Sequence, residues 1–256
     1  MKILFLAACC LVACRYQPAP APDPVSEIKS DSTRPGSWAY FLQHLPERKG
    51  DILDYRGRPI ANQEKHFALI SYDVGTKDLQ QCADALIRIR AEWLFSQKRF
   101  DEIGFHFTSG AFYSWVAWCQ GIRPVFENHG GRQSFVKAAA PKAKTHASLR
   151  SYLDIIYAYS GTVSLCKELK PTDKLDIGTV IIYPGHPGHC CLIVDRGVRD
   201  GKDTVYKLVE GYMPAQSIYM LANPYEPDLS PWYHLSKKEI STASCTFSSF
   251  YLRKFE

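Results

Sequence analysis

No Cys-x-x-Cys pair occurs among the nine cysteines, which argues against a redox or zinc-ribbon module. No long run of Lys or Arg occurs and the net charge is a mild +5, so nothing in the charge pattern points to nucleic acid. A phosphate loop, a dinucleotide fingerprint and a Gly-x-Ser-x-Gly elbow are all missing. Nucleotide-dependent chemistry and the serine-hydrolase elbow are thereby disfavoured, and no cofactor is expected. Internal repeats are absent, and after the first residues no apolar stretch is long enough to cross a bilayer. What is present is a chain of 256 residues, 46% hydrophobic, which can bury a full core as one domain with decorations.

Lys2 precedes an apolar run from Ile3 to Ala13, too short to span a membrane but suited to a secretory signal over residues 1–13. Its last residues, Leu11-Val12-Ala13-Cys14, resemble a bacterial lipobox, where small residues precede a thiol that has already received lipid. Cys14 is then the lipidated first residue of a membrane-anchored envelope protein. An ordinary signal peptide with incidental cysteines is the plainer alternative. Tyr16 to about Pro35 is rich in Pro, Ala, Ser and Asp and reads as a tether, so residues 14–35 form anchor and tether and 36–256 one folded domain. Cys82, Cys119, Cys166, Cys190, Cys191 and Cys245 remain beyond the anchor, and an envelope location permits some of them to oxidise.

The pattern predicts a short helix after Gly36, a strand from His66, and a helix from Asp78 to about Gln97. Asp78 is a suitable N-cap, and Gln81 three residues on completes a capping-box pattern. Leu79, Cys82, Leu86, Ile89 and Trp93 recur at helical spacing, so this face looks inward. A strand is predicted from Ile103 to Thr108. The aromatic segment carrying Phe112, Tyr113, Trp115 and Trp118 reads as a core helix, or as one wall of a substrate groove. Residues from Asn128 to Lys144 read as loop, and two short helices follow, broken at Gly161. From Gly178 the period changes to strand: Thr179–Tyr183, His189–Asp195, a turn at Asp200-Gly201, Thr204–Glu210, Ser217–Leu221 and Thr246–Leu252. Helices first and antiparallel strands second is an α+β order.

Cys82 falls in the first turn of its helix, where unpaired amides and the dipole favour a thiolate. With Asp200 and Gly201 as the two turn residues, Cys191 faces Glu210 and His189 faces Tyr212, all four on one face of the sheet. Glu210 is then a diagonal neighbour of His189, and a carboxylate beside an imidazole fixes its tautomer and raises its basicity. The expected chemistry has Cys82 attack a carbonyl carbon while His189 carries the proton to the leaving amine. The Cys82 amide, with the side-chain amide of Gln80 or Gln81, binds the oxyanion. Against this, a Cys on an apolar helix face is usually inert core, and a His at a strand start is usually a satisfied hydrogen bonder. A metal held by His186, His189, Cys190 and Cys191 is disfavoured, because Cys190 and Cys191 point to opposite faces of their strand.

Asp78 to Ala85 with Arg88-x-Arg90-Ala-Glu, Ile103 to Gly110, Pro187 to Asp195, Gly211-Tyr-Met-Pro-Ala-Gln and Ser230-Pro-Trp-Tyr together resemble an uncharacterised family of bacterial envelope proteins, a domain of unknown function. The likeness covers most of residues 38–256 and brings no activity with it. More distantly, a Cys opening a helix, a Gly-His at a strand start and a polar residue on the next strand are similar to NlpC-type papain-like peptidases and amidases. That resemblance implies a papain-like core with Cys82, His189 and Glu210 as its site. Gln81-Cys82-Ala83 stands where the motif usually has Asp-Cys-Ser/Gly, and Ile103 to Lys170 is an insertion. The expected function is thiol-dependent amide hydrolysis in the envelope, with peptidoglycan peptides as substrate by location and analogy. The alternative is an inactive module that binds peptidoglycan or a protein partner through its aromatic cleft.

Overall fold

The computed structural model describes residues 28–127 and 132–256. The expected leader, the expected lipidation at Cys14 and the expected tether up to residue 27 lie outside the described residues. Within them the chain is mixed α+β, with five α-helices against one large antiparallel sheet. The helices are α1 (Trp38–Gln43), α2 (Cys82–Ser96), α3 (Trp115–Cys119), α4 (His146–Tyr159) and α5 (Thr162–Glu168). The sheet strands are β1 (Ile28–Ser30), β2 (Glu47–Arg48), β3 (His66–Ile70), β4 (Lys170–Pro171), β5 (Thr179–Tyr183), β6 (His189–Arg199), β7 (Asp203–Glu210), β8 (Tyr219–Leu221) and β9 (Tyr251–Lys254). Their order is β2-β3-β8-β7-β6-β5-β9-β4, with β1 on the far half of β6.

Alternation on β6 sorts two cores. Cys190, Leu192 and Val194 face the helices, while Cys191 and Ile193 face a second layer with Leu208, Tyr219 and Phe247. The helix α2 is buried along its whole length from Cys82 to Leu94, not on one stripe only. It lies between the sheet and the other helices, and this explains why charged Arg88 and Glu92 sit inside as an ion pair (2.6 Å).

Three readings change. Asp78 does not cap α2. The Leu79 and Gln81 amides bond the carbonyls of Lys77 and Leu79 (2.9 and 2.8 Å), which holds this segment out of the helix, and Gln81 is the N-cap. The aromatic segment is a short strand, Phe112–Ser114, followed by α3. Part of the expected loop after Asn128 is a strand, Arg132–Lys137, paired with Ile122–Glu127. In addition Ile28–Ser30, at the end of the stretch read as tether, is a sheet strand whose Ser30 hydroxyl donates to Asp195 (2.9 Å).

The hairpin that carries the site reaches its register by two compensating steps. Asp200 and Gly201 take positive φ (53° and 72°), as the turn requires, and Lys202 N–H bonds the Arg199 carbonyl (3.2 Å). The ladder nevertheless starts at Arg199↔Asp203, one residue beyond a two-residue loop. A bulge between Ile193 and Asp195 restores the expected alignment, so Ile193 pairs with Leu208 and Leu192 with Val209. Glu210 therefore reaches the level that the simple register gives it. Beyond it, Gly211 lets the chain pass against α2: a Cβ there lies 2.7 Å from Ala85 Cβ and 2.9 Å from the Gln81 carbonyl oxygen. Gly211→Ala is expected to cost about 1–3 kcal/mol by overpacking, measurable by urea denaturation.

Candidate functional site

The residue Cys82 is the first of α2, so its own amide and that of Ala83 lack the carbonyls of a preceding helical turn. Asp84 Oδ2 accepts the Gln81 N–H (3.1 Å) in a capping box that fixes this helix start. The displaced Asp78 carboxylate accepts the Ala215 N–H (2.7 Å), stapling the approach to α2 onto the chain beyond Glu210.

Three groups from two elements surround the Cys82 sulfur. From the loop before β6, the Gly188 carbonyl stands 3.9 Å from Sγ. From β6 itself, the His189 imidazole and the Cys190 thiol lie near enough to lower the Cys82 pKa. Gly188 is needed for this approach, because a Cβ there meets Thr162 Oγ1 at 2.2 Å and the Gly185 nitrogen at 2.6 Å. Thr162 ties the same loop to α5 by accepting the Gly185 N–H (3.2 Å) and donating to its carbonyl (3.3 Å).

His189 Nε2 meets Glu210 Oε2 at 2.8 Å, so Nδ1 is the ring nitrogen turned from the carboxylate. Glu210 is fully buried, and its other oxygen accepts the Tyr219 hydroxyl (2.5 Å) and the Ser244 hydroxyl. The His189 ring also packs between Tyr212 (5.2 Å between centroids) and Phe247 (5.7 Å). A buried cation, Lys65, lies over the Tyr212 and Tyr219 rings (4.4 and 4.9 Å), with its pKa lowered by burial and supported by Glu210. Of the expected group, His189 and Glu210 meet directly, and Cys82 opens α2 beside them. Gln81 lines the same cleft. Gln80 does not: it is 1% exposed, and its carbonyl accepts from Arg88 (3.3 Å).

The electrostatics favour a thiolate–imidazolium pair. The Cys82 thiol is lowered to about 5, first by the hydrogen bond from Cys190, then by the bond and charge of His189, all against burial. His189 is raised to about 9: burial disfavours its charge, but the bonds to Cys82 and Glu210 outweigh it. Cys190 is pushed well above its ordinary value by burial, so it stays a thiol that donates. Cys245 is pushed up to about 12 by burial and the Glu210 charge. Iodoacetamide is expected to label Cys82 before the other described cysteines, with a rate rising through about pH 5. Mass-spectrometric site assignment across pH checks this, and a rate that rises only above pH 8 would mark an ordinary thiol.

Sequence reasoning missed Cys190, because alternation sets it on the strand face opposite His189. Tyr219, Ser244 and Lys65 had no signal either, because the segments that bring them to Glu210 are not joined to β7 by tight turns.

The cleft beside Cys82 measures about 390 Å³ and is walled by Gln81, Tyr157, Thr162, Gly188 and Met213. Comparison with curated proteins finds no match, and comparison with solved structures finds none. The family model for domain of unknown function 4846 matches residues 23–254, so the chain belongs to that family.

Proposed function

We propose that this protein is a thiol-dependent amide hydrolase built on a papain-like plan. The observation that carries the reading is the fully buried Glu210 carboxylate bonded to His189, with Cys82 near the ring at the start of α2 and lining a cleft. In the proposed reaction the Cys82 thiolate attacks the amide carbonyl carbon. The Cys82 amide and the Gln81 side chain stabilise the oxyanion, and His189 hands its proton to the leaving amine as the acyl–sulfur bond remains. Water, deprotonated by His189, then displaces the sulfur from the acyl carbon, which releases the acid and restores the thiolate–imidazolium pair. Glu210 holds the ring and balances its charge.

The short leader and the Leu-Val-Ala-Cys14 sequence support an envelope location with a lipid anchor. Peptides of the cell wall are the substrate class that this location offers. Mature protein incubated with peptidoglycan fragments, beside a Cys82→Ala control, tests the activity through new amine and carboxyl termini seen by mass spectrometry. No cleavage by the unmodified protein would leave a binding module. Mass spectrometry of the mature N-terminus tests the anchor, and an unmodified chain starting after Cys14 would remove it.

A further inference from the structure

A second recess lies behind the cleft, between the segment from Asp73 to Gln80 and the face of α4. It measures about 230 Å³ and shares Leu79 and Tyr157 with the Cys82 cleft as a common wall. Three side chains lining it carry a solvent-shielded polar atom with no partner among the described residues: Gln80 Nε2, Arg150 Nη1 and Tyr157 Oη. Gln80 and Tyr157 are 1% and 5% exposed, so water does not supply an easy substitute. Buried polar groups are normally satisfied, and three in one recess need a reason.

All three atoms are able to donate: an amide N–H, a guanidinium N–H and a phenol O–H. Burial raises the Tyr157 pKa, so the phenol keeps its proton. The acids of the recess are already engaged. Asp73 binds Arg88 (3.0 Å) and Arg150 (3.1 Å), and Asp154 binds Lys77 (2.8 Å). What the recess lacks is an acceptor, and the guanidinium N–H among its donors makes a charged one the stronger partner. We propose that this recess is a carboxylate-binding subsite of the same site, its donors being Gln80 Nε2, Arg150 Nη1 and Tyr157 Oη.

Its place sets the geometry of the substrate. The recess and the Cys82 cleft meet at Leu79 and Tyr157, so the carboxylate belongs to a part of the substrate close to the scissile amide. For its part in catalysis this inference rests on the hydrolase reading; as a binding site it stands apart from it.

The test is calorimetric titration of the full chain carrying Cys82→Ala, which binds without turnover. The probes are acetyl-Ala-Ala-Ala with a free carboxylate, the same peptide as its C-terminal amide, and acetyl-Ala-Glu-Ala as its amide. The free acid is expected to bind about tenfold or more tightly than its amide, the size of one charge-assisted hydrogen bond. The Glu peptide shows whether a side-chain carboxylate serves as well as a terminal one, and either source supports the subsite. Tyr157→Phe is expected to weaken the acid about tenfold without lowering the melting temperature, because it deletes an O–H that has no partner in the free protein. Arg150→Met should weaken it further, and Arg150→Lys should recover part. Equal binding of acid and amide, or unchanged binding in Tyr157→Phe, would overturn the proposal. If the acid binds but the unmodified protein cleaves nothing, the hydrolase reading falls and the subsite remains.

Discussion

Cys82→Ser and His189→Ala should each take amide hydrolysis to the uncatalysed background, or to within reach of it, while the fold survives. Removing the general base costs about 10²–10⁴-fold by itself, and a serine in its place has no comparable anion to offer at neutral pH. The two losses should not add, because sulfur and imidazole act as one unit. In the unmodified protein the rate should be bell-shaped in pH. Cys82 is protonated below about 5 and His189 loses its proton above about 9, so the active pair exists between those limits. Structural cost separates the variants. Cys82→Ser swaps one atom at the edge of the cleft. His189→Ala leaves Glu210 Oε2 buried without its partner, at a cost of about 1–3 kcal/mol. A drop of several degrees in melting temperature is therefore expected for His189→Ala and not for Cys82→Ser. If either variant keeps more than a tenth of the activity, the assignment of the pair fails.

Local chemistry made much of this site legible. The Cys82 helix, the strand that begins at His189 and the turn at Asp200-Gly201 each have a short-range cause, in a helical apolar spacing, a short apolar run and two positive-φ residues. The helix start was misread because Asp78 is a good cap by type. What decides is that Asp78 is taken by the Ala215 amide, a contact set by tertiary structure. The hairpin is the more instructive case. A two-residue loop and the observed loop with a bulge bring Glu210 to the same level, so the geometry was reached although the intermediate step differs. No periodicity marks a bulge of one residue inside a buried apolar strand, since Ile193, Val194 and their neighbours are hydrophobic on both faces. The hairpin between Ile122 and Lys137 stayed hidden for the opposite reason: its strands mix apolar and polar residues with no clean alternation, and Val125, Phe135 and Val136 are exposed. Long-range partners were the real gap. Lys65, Tyr219 and Ser244 reach Glu210 from three separate segments, and only packing brings them there.

Those partners make Glu210 the second large effect. Glu210→Ala removes the acceptor for His189, Tyr219 and Ser244 together, and it leaves Lys65 buried without its counter-charge. Breaking a buried charge pair from one side costs about 3–5 kcal/mol, roughly 6–20 °C in melting temperature for a domain of this size. Loss of activity in that variant therefore says little about mechanism, and Glu210→Gln carries the functional question. The glutamine keeps the volume and one acceptor oxygen but removes the charge. The direction of the pH effect follows from the sign of that charge. The carboxylate raises His189, so its loss must lower the imidazole and remove the imidazolium at lower pH. The alkaline limb of the rate profile should move down from about 9 toward the ordinary histidine value near 6.5, while the acid limb moves little. The plateau should narrow before its height collapses, with kcat falling and KM changing less, because Glu210 touches the base and not the cleft. A basic limb that stays at about 9 in Glu210→Gln would mean that His189 draws its charge from Cys82 alone, and Glu210 would then be a structural acid under a two-residue site.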